Sequence, residues 1–423
     1  MLKLYCWGGV SEQGRSCFLL GDGNGFILLD CGVKRTFTAF KAGEYPQWDV
    51  NLLTRIDATF LSHAHEDHCG ALPLLTKLGI QRPIYTHHLV VPEVTQSCSA
   101  WLQVVDSAGH KKPYEMEHIL SLLLNPVGFG EKIAIKNCEI FFNPSGHVPG
   151  SAWFDIMWGT KRIIYTGDWC TSSLLFSPPE FSGHADAVVL DGAYGAAVIM
   201  QDNIYEQLLG AITATVSKGG SVLLPVPRIG RSQEILVLLN SALKVSVPIY
   251  VEAPILAGLR GFLRDPEKSG IKCPAQIVNI GYDEKIKEFH RTSEIPQKGE
   301  AIILATDAMG SSGATKELID RLGISEKNTI IFTGFLYEGT KGEQVLKGAV
   351  DGIKARVARF IWKVHPDWKD IEDMLGKIKG DPTVIITHVA REKGDELARL
   401  LRQKGVRAIV PRVGEIIDLS SFS

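Results

Sequence analysis

The string Ser62-His63-Ala64-His65-Glu66-Asp67-His68 constrains this chain more than any other stretch of its 423 residues. It follows an apolar, strand-like run, DATFLS (57–62), and precedes GALPLLTKLGI (70–80), whose apolar spacing predicts a helix. In a tight loop between them, His63 and His65 turn the same way, while Asp67 and His68 reach a second point close by. Imidazole binds zinc at about 2.0–2.1 Å, and two ions about 3.5–4 Å apart can share one site. A single histidine here would read as a surface residue beside a helix start. His-x-His-x-Asp-His after an apolar run reads as a metal-ligand loop.

A positional regularity extends the loop into a site. Asp30, His147, Asp168, Asp191 and His388 each fall just past a predicted strand: GFILLD (25–30), EIFFN (139–143), RIIYTGD (162–168), AVVLDG (187–192) and TVIIT (383–387). In open α/β sheets that carboxyl edge is where ligands bind. His147 sits in the turn-rich PSGHVPG. Asp168 follows Gly167, which permits close backbone approach, and its carboxylate suits bridging two cations.

At this length two domains, or one domain with a large insertion, are expected. The first half alternates short strand-like runs with turns. From about residue 200 the units lengthen into NIYEQLLGAITATVSKG, SVLLPVP, SQEILVLLNSALK, PIYVEAP, AIILAT and TIIFTG, which is α/β alternation with near-continuous apolar strands. After about 357 come a strand (RVARFIWKV), a helix (DWKDIEDMLGKI), a strand (TVIIT) and a helix (GDELARLLRQKG). The expected layout is a host domain from 1–195 and 358–423, interrupted by an inserted α/β domain over 196–357.

The net charge of −2 excludes a generally basic nucleic-acid coat, so any such binding belongs to a local groove. No run approaches the roughly 20 apolar residues that span a bilayer. The opening MLKLYCWGGV turns at Gly-Gly too early for a signal-peptide apolar region, and a cytoplasmic location is expected. Eight cysteines, Cys6, Cys17, Cys31, Cys69, Cys98, Cys138, Cys170 and Cys273, form no C-x-x-C pair and read as buried reduced thiols.

Taken together, Asp30, the 63–68 string, His147 and Asp168 resemble the first four motifs of the metallo-β-lactamase superfamily. Asp191 in LDGAYG, His365 in KVHPD and His388 in TVIITHV resemble the three further motifs of its β-CASP branch, which includes ribonuclease J and polyadenylation-factor nucleases. PVPRIGRSQEIL (225–236) and TIIFTGFLYEGTKGEQVLKG (329–348) are also similar to that branch, and the likeness runs from GGVSEQGRSC to VPRVGEIIDL. The resemblance implies an αββα sandwich with an inserted β-CASP α/β domain and a zinc-dependent ribonuclease. It further implies two Zn2+, with Mn2+ as the alternative. His63, His65 and His147 would hold one ion, Asp67, His68 and His388 the other, and Asp168 would bridge. Asp30 would orient a ligand histidine, and Asp191 would orient His365, which would protonate the leaving oxygen while a metal-bridging hydroxide attacks phosphorus. The implied partners are single-stranded RNA and, as an option, a second copy of the chain; no membrane is involved.

The sequence departs from the family pattern in several places. His365 lies in Lys-Val-His-Pro-Asp where the family usually has Phe-Ser-Ala-His-x-Asp, and the near-match FSGHAD puts His184 in competition with it. The order strand, His, helix, strand, His388 favours His365. ATDAMGSSG (305–313) is similar to a glycine–serine loop that can sit near phosphate, and Ser311 is its candidate contact. Asp307 replaces the first serine there, and a carboxylate would repel phosphate. Arg228 and Arg231 flank a helix start at Gly230 and would contact substrate phosphate, or else pair with Glu234. His87 and His88 lack partner ligands and read as a solvated loop. Three rivals stand beside the ribonuclease: a DNA nuclease, a small-molecule metallohydrolase and a non-catalytic scaffold.

Overall fold

The computed structural model describes residues 1–36, 43–262, 269–272, 274–297 and 299–422. They form two compact units. The first comprises Met1–Thr171, Ser177–Val198 and Val364–Ser423, and the second Ser172–Phe176 and Ile199–Lys363.

The first unit contains two seven-stranded sheets. One runs in the order Ile416–Asp418, Lys3–Gly8, Cys17–Gly21, Phe26–Leu29, Ala58–Phe60, Ile84–His87, Leu124–Val127. The other runs Ala408–Ile409, Thr383–Thr387, Ala187–Asp191, Lys161–Tyr165, Ala152–Trp158, Cys138–Pro144, Lys132–Ile135. Strand side chains alternate between faces, and here both faces are covered. Ile27 and Leu29 join Phe60, Phe154, Ile163, Val189 and Ile385 in the core between the sheets. Leu28, between those two, instead packs with Leu72, Val94 and Trp101 of the helices Leu72–Lys77 and Val91–Ser107. On the far side Val188, Val384 and Ile386 pack with Ile371, Met374, Leu397 and Leu401 of the helices Trp368–Lys377 and Arg391–Gln403. The unit is thus an αββα sandwich, and its doubly covered central strands explain the unbroken apolar runs in the sequence.

The second unit is built on a six-stranded, all-parallel sheet in the order Ile286–Phe289, Ile249–Glu252, Ile302–Thr306, Val222–Val226, Thr329–Phe332, Arg356–Arg359. The segment RVARFIWKV, expected to open the final part of the host domain, supplies the edge strand Arg356–Arg359 of this sheet instead. Arg356 and Arg359, the exposed ends of this strand, suit an edge. The apolar stretch EHILSLLLN (117–125) is not one element: the helix Met116–Leu120 ends within it. Leu124–Val127 is a strand.

The seven described cysteines are buried, and Cys273 lies outside the described residues. No helix among the described residues is long and apolar enough to cross a membrane.

Candidate metal centre

Five of the first unit's strands end on one edge and present the polar residues there. Phe26–Leu29 and Ala58–Phe60 are parallel neighbours that deliver Asp30 and the 62–68 loop. Lys161–Tyr165, Ala187–Asp191 and Thr383–Thr387 are parallel neighbours that deliver Asp168, Asp191 and His388. Asp30 and His388 adopt positive φ, 55° and 56°, which turns each chain sharply off its strand. Gly146 before His147 has φ 75°, and a Cβ there would stand 2.3 Å from the Cys170 carbonyl oxygen, so only glycine fits.

These side chains converge in two donor sets that share Asp168. In the first, His63, His65, His147 and Asp168 each offer an atom within 4.8 Å of the others. His65 Nδ1 lies 3.1 Å from His63 Nε2 and 3.2 Å from His147 Nε2, while Asp168 Oδ2 lies 3.6 Å from each of those Nε2 atoms. Four donors bound tetrahedrally at zinc's 2.0–2.1 Å would stand about 3.3 Å apart. The observed spacings bracket that value.

The other oxygen of Asp168 faces the second set. Asp168 Oδ1 lies 3.2 Å from His68 Nε2 and 3.7 Å from His388 Nδ1, and Asp67 Oδ2 lies 3.0 Å from His388 Nε2 and 3.9 Å from His68 Nε2. His68 Nε2, Asp168 Oδ1 and His388 Nδ1 are buried without a hydrogen-bond partner. An unsatisfied buried polar atom costs about 1–3 kcal/mol. Three of them facing one another fit a cation. His388 also belongs to a group with Asp168, Asp191 and His365, with Nδ1 3.5 Å from Asp191 Oδ1, so its ring stands between Asp67 and Asp191.

The surrounding hydrogen bonds fix which ring nitrogen faces inward. Asp30, fully buried, accepts at Oδ2 from His68 Nδ1 (2.8 Å), the Ser62 hydroxyl (2.8 Å) and the Tyr165 hydroxyl (2.6 Å). The Ser62 oxygen, having donated to Asp30, accepts from His63 Nδ1 at 3.0 Å. Asp30 therefore orients His68 directly and His63 through Ser62, leaving both Nε2 atoms for a metal. His147 Nδ1 donates to the Val364 carbonyl at 2.7 Å. Sequence reasoning missed Ser62, Tyr165 and Val364. A serine inside the metal string was the one available signal, whereas a backbone carbonyl carries none.

Charge is divided unequally among the histidines. Burial pulls His63 and His65 down and takes His147 to about 3, so these rings are neutral and ready to ligate. Burial also opposes charge on His68 and His388, yet Asp168 and the neighbouring carboxylates outweigh it and hold both well above the ordinary histidine value. For Asp168, burial favours the neutral form, but His388, His68 and His365 carry it well below the carboxylate range. In the metal-free chain, then, protons on His68 and His388 balance the carboxylates, and a divalent ion would displace them.

His365 Nδ1 donates to Asp191 Oδ2 at 2.9 Å and lies 3.8 Å from Asp168 Oδ2. Burial lowers its pKa, but Asp191 and Asp168 more than offset this and raise it. The competing His184 sits elsewhere, in the two-residue strand Gly183–His184 beside Ile378–Lys379, with its side chain 60% exposed. His87, expected in a solvated loop, is instead fully buried at the end of Ile84–His87 and stacks on Phe129 with ring centroids 4.0 Å apart. His87 and His88 join none of the metal-capable groups found among the described residues.

Arg228, Arg231 and Ser311 lie in the second unit. The Arg231 guanidinium packs against Gly334, where a Cβ would stand 2.6 Å from it. Glu234 does not turn to these arginines in the way expected as one option. It accepts from Ser173 Oγ, Leu174 N–H (2.9 Å) and Trp362 Nε1 (2.8 Å). Asp307, expected to confront substrate phosphate, points into its own loop. Its carboxylate takes the N–H groups of Met309, Ser311 and Ser312 and the Ser312 hydroxyl, at 2.8–2.9 Å. Ser311 Oγ accepts from Lys341 N–H at 3.0 Å.

An αββα sandwich with this His/Asp donor set at one sheet edge defines a divalent-metal-dependent hydrolase. Residues 11–96 match the metallo-beta-lactamase superfamily and residues 232–345 the Beta-Casp domain. An RNase J-like protein of Methanocaldococcus jannaschii is 26% identical over 99% of this chain and all of its own length. The RNase aCSPSF2 of Saccharolobus solfataricus is 26% identical over 97% of this chain and 84% of its own. Transcription termination factor FttA of a Lokiarchaeum is also 26% identical, over 95% of this chain, and the chain spans 69% of that relative. Against the FttA of Methanocaldococcus jannaschii the span is 57%. A solved protein of unknown function from Enterococcus faecalis shares the fold, with a TM-score of 0.64, 13% identity, and coverage of 98% of this chain and 99% of its own. The chain thus carries both a metallo-beta-lactamase segment and a Beta-Casp segment, and it is similar along nearly its whole length to relatives named for ribonuclease J and aCSPSF2.

Proposed function

We propose that the chain is a ribonuclease that hydrolyses RNA phosphodiester bonds with two zinc ions at this centre. His63, His65 and His147 would hold one ion and Asp67, His68 and His388 the other, with Asp168 between them. The observation that carries the reading is the division of Asp168, whose two oxygens face different donor sets, one of them lined by unpartnered buried atoms. Such ions, when bound, would make a water nucleophile available near neutral pH and would offset phosphate charge.

The chain's own residues supply the rest. Asp191 holds Nδ1 of His365 and keeps the ring protonated toward neutral pH, so Nε2 carries the proton that passes to the leaving oxygen as the P–O bond breaks. Asp30 and the Val364 carbonyl hold His68, His63 and His147 in the tautomers that ligate. The names of two relatives, RNase J-like protein and RNase aCSPSF2, support RNA over DNA as substrate. Product mapping on 5′-labelled RNA, with a matched DNA strand, tests this. Asp67→Ala is expected to lose metal and cutting, and His365→Ala to keep metal and lose most turnover. A clear preference for DNA, or wild-type protein purified without chelator that holds no metal, would overturn the proposal.

A further inference from the structure

Tyr194 lies three residues beyond Asp191 and has no part in the chemistry above. Its hydroxyl accepts the Val364 N–H at 3.1 Å, and its ring meets the His365 ring edge to face, with centroids 5.5 Å apart at 88°. At the other end of the same residue, the Val364 carbonyl accepts from His147 Nδ1. The dipeptide Val364-His365 lies outside any helix or strand and is followed by Pro366, which has no N–H with which to anchor it. Besides His147, the side chains of Asp191 and Tyr194 reach it from the Asp191–Gly195 turn, where Asp191 is itself fixed by accepting the Ala193 N–H at 2.9 Å.

We propose that Tyr194 is a positioning residue for proton delivery to the leaving group. The hydroxyl fixes the backbone N–H of Val364, the residue before His365, and the ring fixes the plane of the imidazole while Asp191 holds Nδ1. This rests on the role given to His365 above: its proton passes to the departing oxygen as the P–O bond breaks. Without Tyr194, the proton donor is present and correctly charged but badly aimed. Geometric errors of this kind lower turnover more than substrate affinity.

Leaving groups that depart without a proton separate aim from collapse. Tyr194→Phe keeps the ring and deletes the hydroxyl; Tyr194→Leu deletes both contacts. Each is compared with wild type for metal content, RNA cleavage, and hydrolysis of aryl phosphodiesters whose leaving groups span a range of acidity, bis(p-nitrophenyl) phosphate being the most acidic. Tyr194→Leu is expected to retain metal and lose roughly 10–100-fold in kcat on RNA, as orienting partners do, with KM little changed. Tyr194→Phe should lose less. On the p-nitrophenyl ester both should approach wild type, and their rates should fall more steeply than wild type as the leaving group becomes less acidic. Equal losses on every substrate, loss of metal, or wild-type behaviour throughout would overturn the inference. Wild-type protein that cleaves aryl diesters but not RNA would sink the ribonuclease reading instead, and the steepness of the leaving-group dependence would still decide the role of Tyr194.

Discussion

Two sheet edges in this molecule carry acidic residues, and they treat them in opposite ways. In the second unit Asp307 is bonded to three N–H groups and a hydroxyl of its own loop, and Glu252 holds the Thr306 N–H and hydroxyl. Both carboxylates are satisfied locally and act as staples. In the first unit Asp168 keeps Oδ1 buried and unpartnered beside His68 Nε2 and His388 Nδ1. Position at the carboxyl end of a strand is therefore necessary for a site but does not make one. What distinguishes the metal edge is hydrogen-bonding capacity that the protein itself leaves unused.

Substitutions at the two edges should break differently. Asp168→Ala removes a donor from both sets, and elemental analysis should find both ions gone and RNA cleavage at background; retention of two ions would mean the edges do not differ as described. His365→Ala should retain metal yet lose about 10²–10⁴-fold in turnover, the range of general acid catalysis, read from single-turnover cleavage. Asp30→Ala should weaken metal binding by roughly 10–100-fold by freeing the His68 and His63 rings, measured by competition with a chromogenic chelator. Asp307→Ala, at the satisfied edge, should leave metal content untouched and cost about 1–3 kcal/mol of stability in thermal melts. A metal defect in that variant would undo the contrast.

Acidity sharpens the same comparison. Ligand histidines must be neutral to bind, and in the metal-free chain His68 and His388 hold their protons above the ordinary histidine value of about 6.5. Zinc affinity should rise with pH through that region and release protons, measurable by calorimetry in buffers of different ionisation heat. In the metal-free chain the sign is reversed. Groups with raised folded-state pKa stabilise below about pH 6.5 and lose that contribution as pH climbs through their raised values. The rise in Tm on adding zinc should therefore grow with pH, and a flat increment would contradict the assignment of protons to these rings.

Much of this was legible in the sequence because its signals are residue types at fixed places. Apolar runs fully buried on both faces read as strands, and His63, His65, Asp67 and His68 read as donors because nothing else gathers four such groups in six residues. The parts that were not legible depend on atoms common to every residue or on satisfaction seen only in three dimensions. The Val364 carbonyl that holds His147 has no signature. Asp307 looked like a repulsive charge because its partners are the N–H groups of its own turn. His87 looked solvated because its cover, Phe129, lies 42 residues away. RVARF reads as the start of the host domain's final part because an edge strand looks the same whichever domain it borders.

The left-handed backbone at Asp30 and His388 bears on how such a chain can be improved. Aspartate and histidine tolerate that conformation better than most residues but still pass about a kilocalorie or more to the folded state as strain. Glycine would relieve it at either position and delete a group the chemistry needs. At Asp30 that gain is outweighed, because Ser62, Tyr165 and His68 would lose their buried acceptor. At His388 it is not, and selection or design for heat resistance alone, with no assay for cleavage, would be drawn there and yield a hardened but inert protein.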